Sequence, residues 1–372
     1  MIKKIFIIII LPFNFSCAQS LKNNFDNVDK IIYQAVKDSV FPSAVLLISK
    51  DGNIIYKKAY GNLTYDTKSK QTSLSTIYDL ASLTKIVSTT TAAMICIDRG
   101  LFKLNDKVVK YIPQFANHNK ENITIKNLLL HNSGLPAYKR FYKFCNNSDD
   151  VINDIYNTEL IYETGSKTVY SDLSMIVLQK LIEKVTGKYL DNFSKEYIFD
   201  PLNMKSTMFN PPDSLKQDIA PTEFDDYWRH RQLQGEVHDE TASLLNGVSG
   251  NAGLFSNVED LSNFLSMILK KGMFNSKKIL NEETVLLFTS KQPNSERALG
   301  WDIKSEEKSS AGKLFSSNSF GHTGYTGTSF WVDPDKKLFV IFLSNRVYST
   351  RENLKIIKFR PILHDGIINS IY

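Results

Sequence analysis

The chain predicts an α+β fold in two lobes, on three observations. Strand patterns occur near both ends, a mostly helical stretch (about residues 101–300) lies between them, and no repeat or low-complexity linker interrupts the 372 residues. Strands from the two ends bury their edges by joining one antiparallel sheet, which the terminal helices cover, while the helical stretch forms a second lobe. Residues 18–372 therefore read as a single domain, with the functional site expected in the cleft between its lobes. The length is enough for a large core. A hydrophobic content of 42% with 23% charged residues is that of an ordinary globular protein.

The first 17 residues read as an address. Lys3 and Lys4 precede a short apolar run, Ile5 to Phe13, which is too short to span a bilayer as a helix. Cys17 between Ser16 and Ala18 resembles the lipidation site of a bacterial lipoprotein signal, although Asn14 and Phe15 depart from that pattern. An ordinary secretory signal is the alternative. Either reading makes the protein exported, as a periplasmic protein or as a lipoprotein held to the membrane through Cys17.

Phe25, Val28, Ile31, Ile32 and Val36 recur at helical spacing, so a helix is expected at about 23–39. Ala44 to Ser49 and Ile54 to Tyr60 flank Asp51-Gly52, a hairpin signal, because both turn residues tolerate positive φ. An apolar helix at 83–99 ends at Gly100. Further helices are expected at 124–131, 171–186, 259–271 and 281–290, with Gly187 and Gly272 as stops. Thr328 to Val332 and Leu338 to Leu343 flank the turn Asp333-Pro334-Asp335-Lys336, and a last helix is expected over Ile362 to Ile371.

Composition excludes some functions. A net charge of +6 without a Lys/Arg block does not point to nucleic acid. The six histidines lack metal-ligand spacing and no C-x-x-C occurs, so neither a metal nor another cofactor is expected. Cys96 reads as a core residue and Cys145 as part of a polar loop, so no disulfide follows.

Three segments carry the chemistry. In Ser82-Leu83-Thr84-Lys85 the three-residue step places a hydroxyl and an amine on one helical face. A serine needs a base, and Lys85 can serve if burial and nearby positive charge lower its pKa. Alone the motif is weak. It recurs at Ser305 and Ser310, and Ser82 also reads as a plain helix N-cap. Tyr170-Ser171-Asp172, just before a helix, adds a phenol able to relay a proton, with Ser171 or Asp172 as cap. Gly321-His322-Thr323-Gly324-Tyr325-Thr326-Gly327 reads as a strand whose glycines admit a substrate backbone along an exposed edge, with an ordinary Gly-rich turn as the alternative. The backbone N–H groups of Ser82 and Tyr325 would then form an oxyanion hole.

On these motifs the chain resembles the penicillin-recognising serine hydrolases, which include class C β-lactamases and low-molecular-weight penicillin-binding proteins. The resemblance covers about residues 25–372 and extends to Leu128–Pro136, Gly250–Ser256 and Leu299-Gly300-Trp301. It implies a β-lactamase/transpeptidase-like fold, with Ser82 as the acylated nucleophile, Lys85 as the base, Tyr170 as the proton relay, and Asp172, His322, Thr323, Gly324 and Tyr325 around the substrate. Two positions depart from the pattern. His322 stands where the family has Lys, and replaces it only when charged. Asp172 stands where the lactamases have Asn; an ionised Asp only accepts hydrogen bonds, so it would hold an amine or a sugar hydroxyl. Both departures argue against an efficient β-lactamase. Gly235–Ala242 and Leu343–Tyr348 resemble a branch that includes exported N-acetylmuramoyl-L-alanine amidases and domains fused to some glycosidases. His238 and Asp239 either line the cleft or hold a loop, and Arg346 reads as an anchor for the C-terminal helix. The resemblance thus implies a peptidoglycan-derived or other small-molecule substrate. Cleavage of an amide is favoured, esterase or D-peptidase activity comes next, and a non-hydrolysing ligand sensor is the rival of a different class.

Overall fold

The computed structural model describes residues 24–372, so the leader and the Cys17 lipidation site lie outside the described residues. Six antiparallel strands form the central sheet in the order 302–303, 320–323, 329–333, 338–344, 43–50, 53–61. The two chain ends meet where Ser43–Lys50 pairs with Leu338–Ser344, with Leu47 opposite Ile341. The expected hairpin spans Ser43–Lys50 and Asn53–Gly61, with positive φ at both Asp51 and Gly52.

Period-two alternation sorts the sheet's side chains into two cores. Ala44, Leu46, Ile48, Trp331, Val340 and Phe342 face the terminal helices. Val45, Leu47, Phe330, Val332, Ile341 and Leu343 face the helical lobe. The strands are therefore apolar runs rather than alternating ones, because both faces are covered. The N-terminal helix, Asp26–Lys37, turns Val28, Ile32 and Ala35 inward. It packs so closely on the C-terminal helix that a Cβ on Gly366 would lie 2.8 Å from Ile31. That last helix runs Ile356–Ile371, beginning six residues before the expected start, with Pro361 inside it.

In the second lobe, helices at Asp172–Thr186, Val258–Leu269 and Glu282–Thr289 match their expected positions. The helix expected at 124–131 shrinks to Ile125–Leu129. The one at 83–99 differs in kind. A 3₁₀ turn at Ala81–Leu83 passes into a π turn at Lys85–Thr90, and only Thr91–Asp98 is α-helical. Thr91 Oγ1 bonds to the Ile86 carbonyl (2.8 Å) in that wide turn, and π turns of this sort gather at functional sites. Cys145 is buried in the main core instead of lying in an open polar loop, and both described cysteines are free. No described helix is long and apolar enough to cross a membrane.

Candidate active site

The segment before Ser82 is pinned on both sides. Tyr78–Asp79 pairs with Leu254–Ser256, and Leu80 N–H donates to the Leu254 carbonyl (2.9 Å). Ala81 then takes φ +45°, an unfavoured conformation for a residue with a Cβ, held by its N–H bond to Asp79 Oδ1 (2.8 Å). The strained step turns Ser82 into the cleft between the lobes, where it lines two cavities, of about 580 and 380 Å³. Tyr170 and Tyr325 line both as well.

Lys85 is fully buried. Its Nζ donates to Ser82 Oγ (2.9 Å) and to the Asn251 carbonyl (2.8 Å), and it pairs with Asp172 Oδ1 at 2.7 Å. Three acceptors satisfy the three N–H groups of an ammonium, one more than a neutral amine carries. Burial alone would depress the Lys85 pKa, but the Asp172 carboxylate, helped by Tyr170, outweighs it and raises the value above the ordinary lysine range. This corrects the expectation of a lowered Lys85. Its cause is Asp172, which holds an amine as expected, but the amine is the chain's own.

Tyr170 stands among nitrogen groups. Lys85 Nζ is 4.9 Å from its ring centre, His131 4.7 Å, His322 5.6 Å and the Arg297 guanidinium 5.5 Å. Desolvation raises its pKa against the opposing influence of the Lys85 charge. The phenol is therefore protonated at neutral pH. His131 fixes the segment: its Nδ1 accepts from Ser171 N–H (3.1 Å), and its carbonyl from Val169 N–H (2.9 Å). Ser171 caps the helix that follows, accepting from Ser174 N–H.

His322 is buried and neutral. Burial, with the charges of Arg297 and Lys85, pushes its imidazole down to about 4 despite Asp302. In this arrangement His322 lacks the charge with which it would stand in for the family's Lys. Nδ1 lies 2.9 Å from the Thr323 carbonyl, which only accepts, so Nδ1 carries the hydrogen. Nε2 is a bare acceptor without a partner among the described residues.

The glycines of the third segment answer to the chain's own packing rather than to a substrate backbone. A Cβ on Gly321 would lie 2.3 Å from the Phe330 carbonyl, and one on Gly324 2.1 Å from Thr328 Oγ1 and 2.5 Å from the Leu80 carbonyl. Thr326 and Thr328 hydroxyls donate to the Asp79 and Leu80 carbonyls (2.7 and 3.0 Å), which sews this turn to the Ser82 turn. The strand is covered by 302–303 only at Phe320 and Gly321, so its edge is open beyond them. Neither Ser82 N–H nor Tyr325 N–H donates to any described residue.

On the far side of the larger cavity, Asp239 lines the space and also caps a short helix, accepting from Ala242 N–H (2.7 Å). Burial and the neighbouring Asp172 and Glu240 carboxylates hold its carboxyl above the usual range. His238 stacks on Tyr325 (5.7 Å) and bonds to Glu223 Oε2 (3.0 Å). Lining and loop-holding thus both apply. Arg346 is an anchor, though of loops more than of the helix: it donates to the carbonyls of Tyr325, Arg351 and Asn353. Sequence reasoning missed Arg297, Arg360 and Arg351, which have no local signature, and gave no role to Asn251, although its segment Gly250–Ser256 was singled out. Among the described residues no group of three His, Cys, Asp or Glu side chains is placed to hold a metal.

Comparisons with known proteins agree with this geometry. The Beta-lactamase family model matches residues 28–360. An N-acetylmuramyl-L-alanine amidase of Bacillus subtilis (strain 168) is 33% identical over 96% of this chain and 91% of its own length. A protein of Escherichia coli (strain K12), provisionally named a D-alanyl-D-alanine carboxypeptidase, is 34% identical over 87% and 82%. Among solved structures, EstCE1, a hydrolase with promiscuous acyltransferase activity, superposes with a TM-score of 0.76 at 20% identity, covering 92% of this chain and 97% of that one. A penicillin-binding protein homologue from Caulobacter crescentus superposes at 0.73 with 14% identity, covering 93% and 97%. At those identities the structures show the shared fold alone. The chain belongs to the Beta-lactamase family of penicillin-recognising proteins and is a serine hydrolase.

Proposed function

We propose that this protein is an exported hydrolase of the cell envelope that cleaves an amide bond of a peptidoglycan fragment through an acyl-enzyme on Ser82. The observation that carries the reading is the contact of buried Lys85 Nζ with Ser82 Oγ at 2.9 Å, at the junction of two cavities. Two relatives above 30% identity, one named for a muramyl amide and one for a D-alanyl peptide, support an amide of that class. Esterase or D-peptidase action at the same serine is the nearest alternative, and a ligand sensor that acylates without turnover is the rival of another kind. Export to the periplasm, with a lipid on Cys17 holding the chain to the membrane, belongs to the same proposal.

The resting site holds an ammonium and a carboxylate, so Lys85 is no base until its proton moves. Transfer to Asp172 across 2.7 Å leaves the pair's net charge unchanged, and it becomes easier as a substrate excludes water and the low dielectric disfavours separated charges. Lys85 then takes the Ser82 proton, and the serine oxygen bonds to the acyl carbon. The oxyanion collects on the N–H groups of Ser82 and Tyr325, each such donor being typically worth about 2.7–4 kcal/mol of barrier. The C–N bond breaks as Tyr170 gives its proton to the leaving amine and is reprotonated from Lys85. Water entering by the reverse relay frees the acid.

Mass analysis of the full chain after fluorophosphonate treatment tests the nucleophile: an adduct is expected on the wild type and none on Ser82→Ala. Turnover of N-acetylmuramyl-L-alanine, of D-alanyl-D-alanine peptides and of nitrophenyl esters then ranks the substrates. One equivalent of product without turnover would favour the sensor.

A further inference from the structure

One of the two proposed oxyanion donors, Tyr325 N–H, belongs to the Gly324–Tyr325 peptide, whose carbonyl faces the C-terminal helix. Arg360 of that helix is only 7% exposed, and its Nη2 donates to the Gly324 carbonyl (3.0 Å) and the Thr328 carbonyl (2.8 Å). Among the described residues no acidic group pairs with it; burial and the nearby Arg346 both push the guanidinium toward its neutral form. A buried, uncompensated cation is destabilising, so a stability role explains this arginine poorly. Its Nε has no partner among the described residues, and its side chain reaches the wall of the smaller cavity.

We infer that Arg360 is a positioning residue of the acylation reaction, fixing and polarising the Gly324–Tyr325 peptide so that Tyr325 N–H meets the developing oxyanion. The inference rests on the reading of Ser82 as nucleophile. Two contacts separate Arg360 from its neighbour. Arg346 donates to the Tyr325 carbonyl (2.8 Å), which belongs to the next peptide, whereas Arg360 acts on the carbonyl of the donor peptide itself. That carbonyl also accepts Gly327 N–H (3.2 Å). Donors on a peptide's carbonyl strengthen its N–H as a donor through polarisation along the hydrogen-bond chain. The same bond fixes the plane of the peptide and therefore the direction of the N–H.

The test compares wild type, Arg360→Gln and Arg360→Lys as full chains with matched melting profiles. It uses a nitrophenyl ester for kcat and KM and a fluorophosphonate for the labelling rate of Ser82. The ³¹P resonance of the adduct reports the hydrogen bonding of its phosphoryl oxygen, with the unfolded adduct as reference. Arg360→Gln should lose about tenfold in kcat and labelling rate, less than the 10²–10³ of losing an oxyanion donor outright, with KM within about twofold. Its ³¹P resonance should move toward the unfolded value, and Arg360→Lys should recover most of both changes. Wild-type kcat, labelling and resonance in Arg360→Gln would overturn the inference. So would a rise in KM at constant kcat, which would make Arg360 a substrate contact. If Arg360→Gln fails to fold, Arg360→Met, which fills similar space without a donor, takes its place: a shifted resonance and a reduced labelling rate support the role, and wild-type values of both overturn it. A folded wild type that takes no label removes the nucleophile reading, and the positioning role with it.

Discussion

The two cavities that meet at Ser82 both carry charges of each sign, and a subset of those charges is used in opposite ways on the two sides. On one side Asp172, Asp239 and Glu240 face the open space, and Asp172 pairs with Lys85. On the other, Arg346 and Arg360 turn away from carboxylates and bind backbone carbonyls of the turn at 324–328. One side therefore governs where protons reside and the other where the backbone lies. The proposed reaction needs both, since a correctly charged base without a fixed oxyanion donor, or the reverse, leaves the barrier high.

The comparison breaks completely at its junction. Ser82→Ala should abolish labelling and lower turnover by about 10⁶-fold, the scale of removing a serine nucleophile, as read in steady-state assays. On the arginine side, Gly324→Ala forces a Cβ into Thr328 Oγ1 and the Leu80 carbonyl. The turn must shift, so kcat should fall about 10²–10³-fold, while Lys85 keeps its charge state.

On the carboxylate side, Asp172→Asn should act through pH. Removing the carboxylate leaves burial as the dominant influence on Lys85, so its pKa falls. The neutral amine exists above that pKa, and the pH midpoint of Ser82 labelling should therefore move downward. An unmoved midpoint would show that Asp172 does not hold Lys85 charged.

The smallest effect concerns stability. His322 and His364 are buried, and burial pushes both down to about 4 from an ordinary 6.5. Between those values the unfolded chain binds protons that the native state does not, so stability present above pH 6.5 is lost as pH falls toward 4. Thermal melts should show a decline across that window, and His364→Gln should make it shallower, leaving the share of His322 and of buried His131, without changing the labelling rate at pH 7.

The Ser82–Lys85 step, the Tyr170-Ser171-Asp172 run and the Gly-rich segment were legible because each is a short run whose spacing is set by the chain itself. The sheet was legible because its strands are short apolar runs bounded by turn residues. The charge of Lys85 was not, since its pKa depends on Asp172, brought beside it only by folding. Arg360 was hidden by position: it lies one residue before Pro361, ahead of the stretch read as helix, and nothing in its neighbours marks a residue that reaches Gly324. The strand Asp302–Ile303 is too short to show a pattern.

The central sheet joins Ser43–Lys50 to Leu338–Ser344, and this sets an order on biosynthesis. Ser82 and Lys85 leave the ribosome early, but the turn that carries the second oxyanion donor and the arginine behind it come near the end of the chain. A nascent or truncated polypeptide holds its nucleophile without the parts that make it reactive. Any activity that relies on the turn at 324–328 therefore waits until the strand Leu338–Ser344 has been made and paired.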